Sequence, residues 1–314
     1  MRILVTGAAG FIASHLCEKL KSLGHDVYGI DNFNDYYDVK LKELNASDLA
    51  QQGIVIFRKD LNDDLGDVFA TAYDYVFHLA AQPGISSDTA LEEYVDNNIY
   101  ATQNLLEAIL KYNPDVKSFV NIATSSVYGI EATVDETEPA KPVSFYGVTK
   151  LAGEQLALGL QRTGKLNTCS VRLYSVYGPR ERPEKLYTKL IENLYYDKPF
   201  PLFEGSLKHE RSFTYVGDIV EGLAAIIGKE AKVNGEIINL GTDEVNTTQE
   251  GIHAVEVIMN KQLIIDNKPP RKGDQQRTAA VIDKAKTLLG YEPKTTLKQG
   301  LQKQVDWYLE KFTK

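Results

Sequence analysis

Apolar positions in the first half of the chain fall into short, nearly continuous runs separated by longer amphipathic stretches. The runs Arg2–Thr6, Asp26–Ile30, Ile54–Arg58, Tyr75–Leu79, Ser118–Ala123 and Thr168–Leu173 read as strands, several apolar on both faces, as strands inside a parallel sheet are. Between them Gly10–Leu23, Leu91–Tyr112 and Ser144–Arg162 carry helical spacing. Strand–helix alternation of this kind predicts an α/β protein with a Rossmann-type doubly wound parallel sheet. After Leu173 the rhythm changes: Pro and Gly become frequent, and a helix is expected over Lys185–Tyr196 without a strand after it. A helix at Ile219–Ile227 and a strand at Glu236–Leu240 rejoin the sheet, and Asp283–Lys314 reads as two helices around Gly290-Tyr291-Glu292-Pro293. The expected division is therefore a sheet domain over 1–173, rejoined by about 213–241, and a smaller α/β substrate domain from 174–212 and 242–314.

Composition narrows the class without naming it. The 314 residues are 43% hydrophobic and 25% charged, ordinary values for a globular chain. A net formal charge of −8 and the lack of any dense Lys/Arg patch speak against a nucleic-acid surface. No apolar run approaches the roughly 20 residues of a membrane span. The N-terminal apolar run breaks at once into Gly-rich sequence, unlike a signal peptide. Cys17 and Cys169 lie in apolar segments and read as small buried hydrophobes, which suits a cytoplasmic protein. The five histidines show no ligand spacing, so no metal is expected.

Two constellations carry chemistry. Thr6-Gly7-Ala8-Ala9-Gly10-Phe11-Ile12-Ala13 joins the first strand to the first helix, and its glycines let backbone N–H groups approach a pyrophosphate at the positive end of the helix. Asp31, at the end of the second strand, suits ribose hydroxyls and repels a 2′-phosphate, favouring NAD over NADP. The second is a Tyr-x-x-x-Lys spacing, which puts two side chains on one helical face. It occurs twice, at Tyr36/Lys40 and Tyr146/Lys150. Tyr36/Lys40 falls in a polar loop and is set aside. Tyr146/Lys150 opens a helix and follows Thr124-Ser125-Ser126-Val127-Tyr128-Gly129, a hydroxyl cluster at the carboxyl end of a strand, where open α/β sheets bind ligands. A tyrosine with an ordinary pKa near 10 needs about 4 kcal/mol of help to act as a base at pH 7, and a Lys ammonium and a positive nicotinamide ring both provide it.

Taken with His78-Leu79-Ala80-Ala81-Gln82, Asn97-Asn98, Arg211-Ser212-Phe213-Thr214-Tyr215-Val216 and Leu289–Pro293, these residues make the chain resemble the extended short-chain dehydrogenase/reductases, specifically the nucleotide-sugar epimerase/dehydratase family. The resemblance implies NAD on Gly7, Gly10, Phe11, Ile12, Asp31, Asn32, Asp60, Leu61, Leu79, Ala80, Ala81, Asn98, Tyr146 and Lys150. It implies catalysis by Thr124, Tyr146 and Lys150, a structural His78, and a UDP-sugar held by Ser125, Ser126, Ser175, Arg182, Phe203, Arg211 and Asp274. Phe203 is expected to face the uracil, Arg211 the diphosphate, and Asp274 and Arg277 the ribose or phosphate. Ala13 departs from the family's usual third Gly. Related dehydratases resemble Thr-Asp-Glu where this chain has Thr124-Ser125-Ser126, and uronate decarboxylases carry a Glu at the Ser126 position. With no added carboxylate, C4 epimerisation is the expected reaction. The Asp31–Asp38 and Tyr177–Pro183 segments are most similar to UDP-glucuronate 4-epimerases, with Arg182 and Ser175 suited to a C6 carboxylate. A UDP-glucose or UDP-N-acetylglucosamine 4-epimerase, a UDP-glucuronate decarboxylase and an NAD-sensing protein with a decayed site stand as alternatives. A homodimer through the Leu91–Tyr112 and Ser144–Arg162 helices is expected by the same resemblance.

Overall fold

The computed structural model describes residues 1–84, 89–270 and 276–312; Asp274 lies outside them. Seven parallel strands form the main sheet: β1 (Arg2–Thr6), β2 (Asp26–Asp31), β3 (Val55–Arg58), β4 (Tyr75–His78), β5 (Ser118–Thr124), β6 (Thr168–Leu173) and β7 (Ile237–Leu240). Their order is β7-β6-β5-β4-β1-β2-β3, so the winding reverses between β1 and β4. In register, Thr6 lies between Ile30 and His78, and Thr124 beside Leu173. The carboxyl ends of β1, β2, β4, β5 and β6 therefore meet along one edge, where a doubly wound sheet opens a crevice.

The helices are α1 (Phe11–Ser22), α2 (Val39–Gln51), α3 (Leu91–Val95), α4 (Ala101–Tyr112), α5 (Phe145–Arg162), α6 (Leu186–Tyr195), α7 (Val216–Ala224), α8 (Glu230–Val233), α9 (Thr248–Met259), α10 (Asp283–Leu289) and α11 (Leu297–Phe312). One face of the sheet packs Ile3, Val5 and Val171 against Leu16 and Leu20 of α1, Ile219 and Leu223 of α7 and Leu289 of α10. The other packs Leu4, Val76 and Phe119 against Leu105 and Ile109 of α4 and Ala157 of α5. A third core joins Tyr187, Leu190 and Ile191 of α6 to Ile252 and Val255 of α9 and to Leu301 and Val305 of α11. Ala280, Ile282 and Tyr291 belong to the first of these cores, so the residues after 242 are shared between sheet and cap.

Three features depart from the sequence pattern. The expected continuous helix 91–112 is broken by a π-helical turn at Asp96–Tyr100, and α2 and α9 were not anticipated. In α2 only Lys42, Asn45 and Leu49 are buried, so two of the three inward positions are polar and the apolar stripe is missing. The helix at 219–227 begins three residues earlier and ends at Ala224. Cys17 and Cys169 are buried and unpaired. Among the described residues no helix is long and apolar enough to cross a membrane.

Candidate active site

The crevice is a cavity of about 480 Å³ that reaches from the β1–α1 turn to the segment before α6. Its deep wall is made by backbone. Gly7 has φ +69°, and a Cβ there would stand 3.0 Å from the Ala80 backbone, so only glycine lets the two strand ends close on each other. Gly10 caps α1 without a side chain, and no acidic residue lies in the helix's first turn, which leaves its N–H groups and positive end open to an anion. Gly7, Gly10, Phe11, Ile12 and Ala13 all line the cavity, and Ala13, at 2% exposure, fits with its extra methyl. Asp31 accepts from the N–H groups of Ala9 (3.0 Å) and Phe33 (2.8 Å), which fix its carboxylate at the rim. Burial pushes that carboxyl up, against the opposing pull of Lys42 and the two N–H groups. Asn32 donates to Asp60 (2.7 Å), and Asn32, Asp60, Leu61, Leu79, Ala80 and Ala81 continue the same wall.

The reactive side chains sit where β5 meets α5. Thr124 ends β5, accepts from the Ser126 N–H (3.2 Å) and donates to the Ser126 hydroxyl (3.3 Å). Ser144 caps α5 through the Gly147 N–H (3.1 Å). A Cβ on Gly147 would stand 2.7 Å from the Ser126 carbonyl, so glycine lets the start of α5 press against the β5 turn and bring Tyr146 to Thr124. Burial raises the Tyr146 phenol; a hydrogen bond with Thr124 and the charge of Arg182 pull it back down, while the phenols of Tyr94 and Tyr36 push it up. Lys150, one turn on, is buried and lines the cavity, and burial lowers its pKa to about 8, with Glu154 opposing the fall. Among the described residues no protein acceptor takes a hydrogen bond from its ammonium, which suits an acceptor arriving with a ligand.

Most of the expected site residues meet here. Besides those above, Ser125, Ser126, Ser175, Arg182 and Arg211 line the cavity. Three do not. Asn98 is fully engaged inside the protein, accepting from Gln82 N–H (2.8 Å) and donating to Gln82 O (3.2 Å) and Thr149 Oγ1 (3.0 Å); it ties the π-helical turn to α5. Its neighbour Asn97 reaches the cavity instead, because the π turn rotates the side chains. Phe203 lines a second, smaller cavity with Lys208, His209 and Gln276. Arg277 pairs with Glu210 at 2.9 Å on the surface. His78 sits fully buried between Thr6 (2.9 Å) and Thr102 (2.9 Å), and burial drops its pKa to about 3, so it is a neutral structural bridge.

Sequence reasoning passed over Tyr36, Tyr37, Lys59 and Lys185, all of which line the cavity. Tyr36 and Lys40 do not share a helix, since α2 starts at Val39. Yet the Tyr36 ring lies 5.6 Å from the Arg182 guanidinium, so the loop dismissed with that pair forms part of the site.

A backbone anion cradle, an acidic residue at the second strand end and a hydroxyl–phenol–ammonium set suit hydride and proton exchange at a secondary alcohol. Comparison with known proteins agrees. Residues 3–241 match the NAD dependent epimerase/dehydratase family. The chain belongs to that family. Among its relatives, a Bacillus subtilis (strain 168) protein described as an uncharacterized UDP-glucose epimerase, YtcB, is 38% identical over 97% of both chains. UDP-glucuronate 4-epimerase 4 of Arabidopsis thaliana is 37% identical over 99% of this chain and 76% of its own length. The crystal structure of a Bacillus cereus UDP-glucuronic acid 4-epimerase with UDP-glucuronic acid and NAD superposes with a TM-score of 0.92 at 37% identity, covering 99% of each chain.

Proposed function

We propose that this family member interconverts UDP-glucuronate and UDP-galacturonate by epimerisation at C4, with NAD in the β1–α1 cradle and the nucleotide sugar under the cap. The observation that carries the reading is the placement of Arg182 and Ser175 in the wall shared with Thr124 and Tyr146, beside a Thr124-Ser125-Ser126 turn that holds no carboxylate. Likeness to the Arabidopsis and Bacillus cereus enzymes supports it.

Bound NAD supplies the hydride acceptor for C4 oxidation and returns the hydride to the sugar. Gly7, Gly10 and the α1 N-terminus hold its pyrophosphate, Asp31 its adenosine ribose and Lys150 its other ribose. Tyr146 takes the C4 hydroxyl proton and gives one back, with Thr124 holding the same oxygen. Because burial keeps the phenol protonated in the protein alone, Tyr146 becomes a base only once the site is loaded with positive charge, which limits side reactions before assembly. Arg182 and Ser175 meet the C6 carboxylate. Oxidation at C4 makes a β-keto acid, which loses CO2 when its C–C bond aligns with the ketone π system; hydrogen bonds from Arg182 and Ser175 hold the carboxylate away from that alignment. Ser125 and Ser126, lacking acid groups, offer neither elimination nor a proton for decarboxylation.

Holoenzyme incubated with UDP-glucuronate and followed by NMR is expected to yield UDP-galacturonate and no UDP-pentose. Turnover of UDP-glucose or UDP-N-acetylglucosamine alone, or release of CO2, would overturn the assignment. We further propose a cytoplasmic homodimer, supported by Tyr100 (56% exposed) between α3 and α4 and by Phe145 (53%) and Val148 (48%) on α5, apolar side chains uncovered on the two helices the family pairs. Light scattering that gives only monomer mass removes the dimer.

A further inference from the structure

The segment between β6 and α6 makes a tight turn at Arg182-Pro183-Glu184-Lys185. Lys185 N donates to Arg182 O at 3.0 Å, and Pro183 occupies the second turn position, where its fixed φ is favoured. This turn places two cationic side chains three residues apart in the lining of the cavity that Thr124 and Tyr146 also line. Lys185 caps α6 by its backbone alone; its side chain is open to the cavity and takes part in no hydrogen bond or ion pair among the described residues. Arg182 is only partly satisfied: Glu184 lies 3.2 Å from Nη1 without hydrogen-bond alignment, and that nitrogen is buried with no acceptor. The two like charges repel, Glu184 offsets them only in part, and an anionic ligand in the cavity relieves both.

We infer that Lys185 is a specificity residue that joins Arg182 in holding the acid group on C6 of the sugar. The inference rests on the uronate reading above and adds a group that reading does not use. Its place in the Arg182 turn, rather than on the strand that carries Arg211, favours the carboxylate over the diphosphate as its partner. Lys185 shares the Arg182 turn, its N–H bonded to the Arg182 carbonyl at 3.0 Å, and lines the same cavity, so the group that Arg182 meets is within the reach of its long side chain. The charged groups around it are Arg182, Glu181, Glu184 and Arg211; desolvation of the ammonium first, then the two arginines, bring its pKa down to about 8 against the two glutamates. Its contribution is therefore present below pH 8 and fades above.

Affinities of NAD-loaded wild type and Lys185→Met for UDP-glucuronate, UDP-glucose and UDP, measured by calorimetry at pH 7 and pH 9, test this. Lys185→Met is expected to weaken UDP-glucuronate about ten- to hundred-fold at pH 7 and to leave UDP-glucose and UDP within twofold. In wild type the UDP-glucuronate preference over UDP-glucose should shrink by about tenfold at pH 9, and in the variant it should not move. Using the ratio cancels the titration of Lys150, which affects both sugars alike. Equal weakening of all three ligands would make Lys185 a diphosphate contact and overturn the inference, as would no change at all. A wild type that binds UDP-glucuronate no better than UDP-glucose sinks the uronate reading itself, a separate outcome. Unchanged UDP affinity and melting temperature report that the variant is folded.

Discussion

The two walls of the cavity are built on different principles. The sheet side offers backbone and a buried cation: Gly7 against Ala80, the start of α1 with no side-chain cap, and the buried Lys150 of α5. The cap side offers cationic side chains, Arg182 and Lys185 on the turn before α6 and Arg211 on a short strand, with the Tyr36 ring against Arg182. A site made of core is rigid and cannot change without changing the fold, whereas a site made of loop side chains can be retuned. Within one family a shared cofactor with variable sugars calls for that division. It also reconciles a net charge of −8 with two anionic ligands, since each is met by a local device rather than by a charged surface.

The largest effect is expected at the junction of the two walls. Tyr146→Phe removes the acid–base group while keeping the ring, so turnover should fall by about 10²–10⁴-fold with UDP-glucuronate affinity changed little. Residual activity above a tenth of wild type would show that another group moves the proton, with Tyr94, whose ring centroid lies 6.4 Å from that of Tyr146, the first candidate.

Next come variants that separate the walls. Glu154 of α5 and Arg172 of β6 form a pair buried almost completely (0% and 3% side-chain exposure), joined by bonds of 3.0 and 2.6 Å, with Ser170 donating to the same carboxylate. Glu154→Ala strands the Arg172 charge in the core and should cost about 3–5 kcal/mol of stability. At this chain length that lowers the melting temperature by roughly 10 °C. Arg182→Ala, on the cap side, should leave the melting temperature within about 2 °C and weaken UDP-glucuronate by roughly ten- to hundred-fold, the size of one lost charge-assisted contact. If Arg182→Ala unfolded the protein and Glu154→Ala did not, the contrast between a core-built and a loop-built wall would be wrong.

Legibility in the sequence follows the same divide. Each main-sheet strand was readable to within a residue or two; most are buried on both faces and run apolar, while the exposed edge strand β3 was readable from its β-branched and aromatic residues. The residues proposed for the cofactor, Asn98 excepted, were found lining one cavity because the signals that picked them are local: a turn, a strand end and a helix start. Asn98 was misplaced because a π-helical turn adds a residue to the helix and rotates Asn97 into the cavity, and nothing in apolar spacing marks such a turn. The cap wall was only half readable. Arg182 and Arg211 stood out within motifs, but Lys185 looks like an ordinary helix-start lysine, and only the fold shows that it lines the cavity. Tyr36 was discarded with Lys40 because the search was for two residues on one helix, and the loop's real partner is 146 residues away in sequence. Contacts between distant segments leave no periodicity to read.

The smallest effect, and the one that probes the sheet wall without mutating it, is pH. Burial lowers the Lys150 pKa to about 8 while the Tyr146 phenol is held above its ordinary value, so the ammonium is the first of the two to titrate as pH rises. If the Lys150 ammonium adds to the pull of Arg182 on the phenol, its loss should lower turnover about tenfold per pH unit above pH 8. Stability should move the other way. Between about pH 8 and the ordinary lysine value the unfolded chain holds a proton on Lys150 that the folded chain has released, so rising pH favours the fold through this group. Lys150→Arg, whose guanidinium stays charged, should show a lower plateau but no alkaline decline over the same range. A decline that persists unchanged in Lys150→Arg would assign the titration to another group, and the buried ammonium would then be positioning ligand rather than tuning the base.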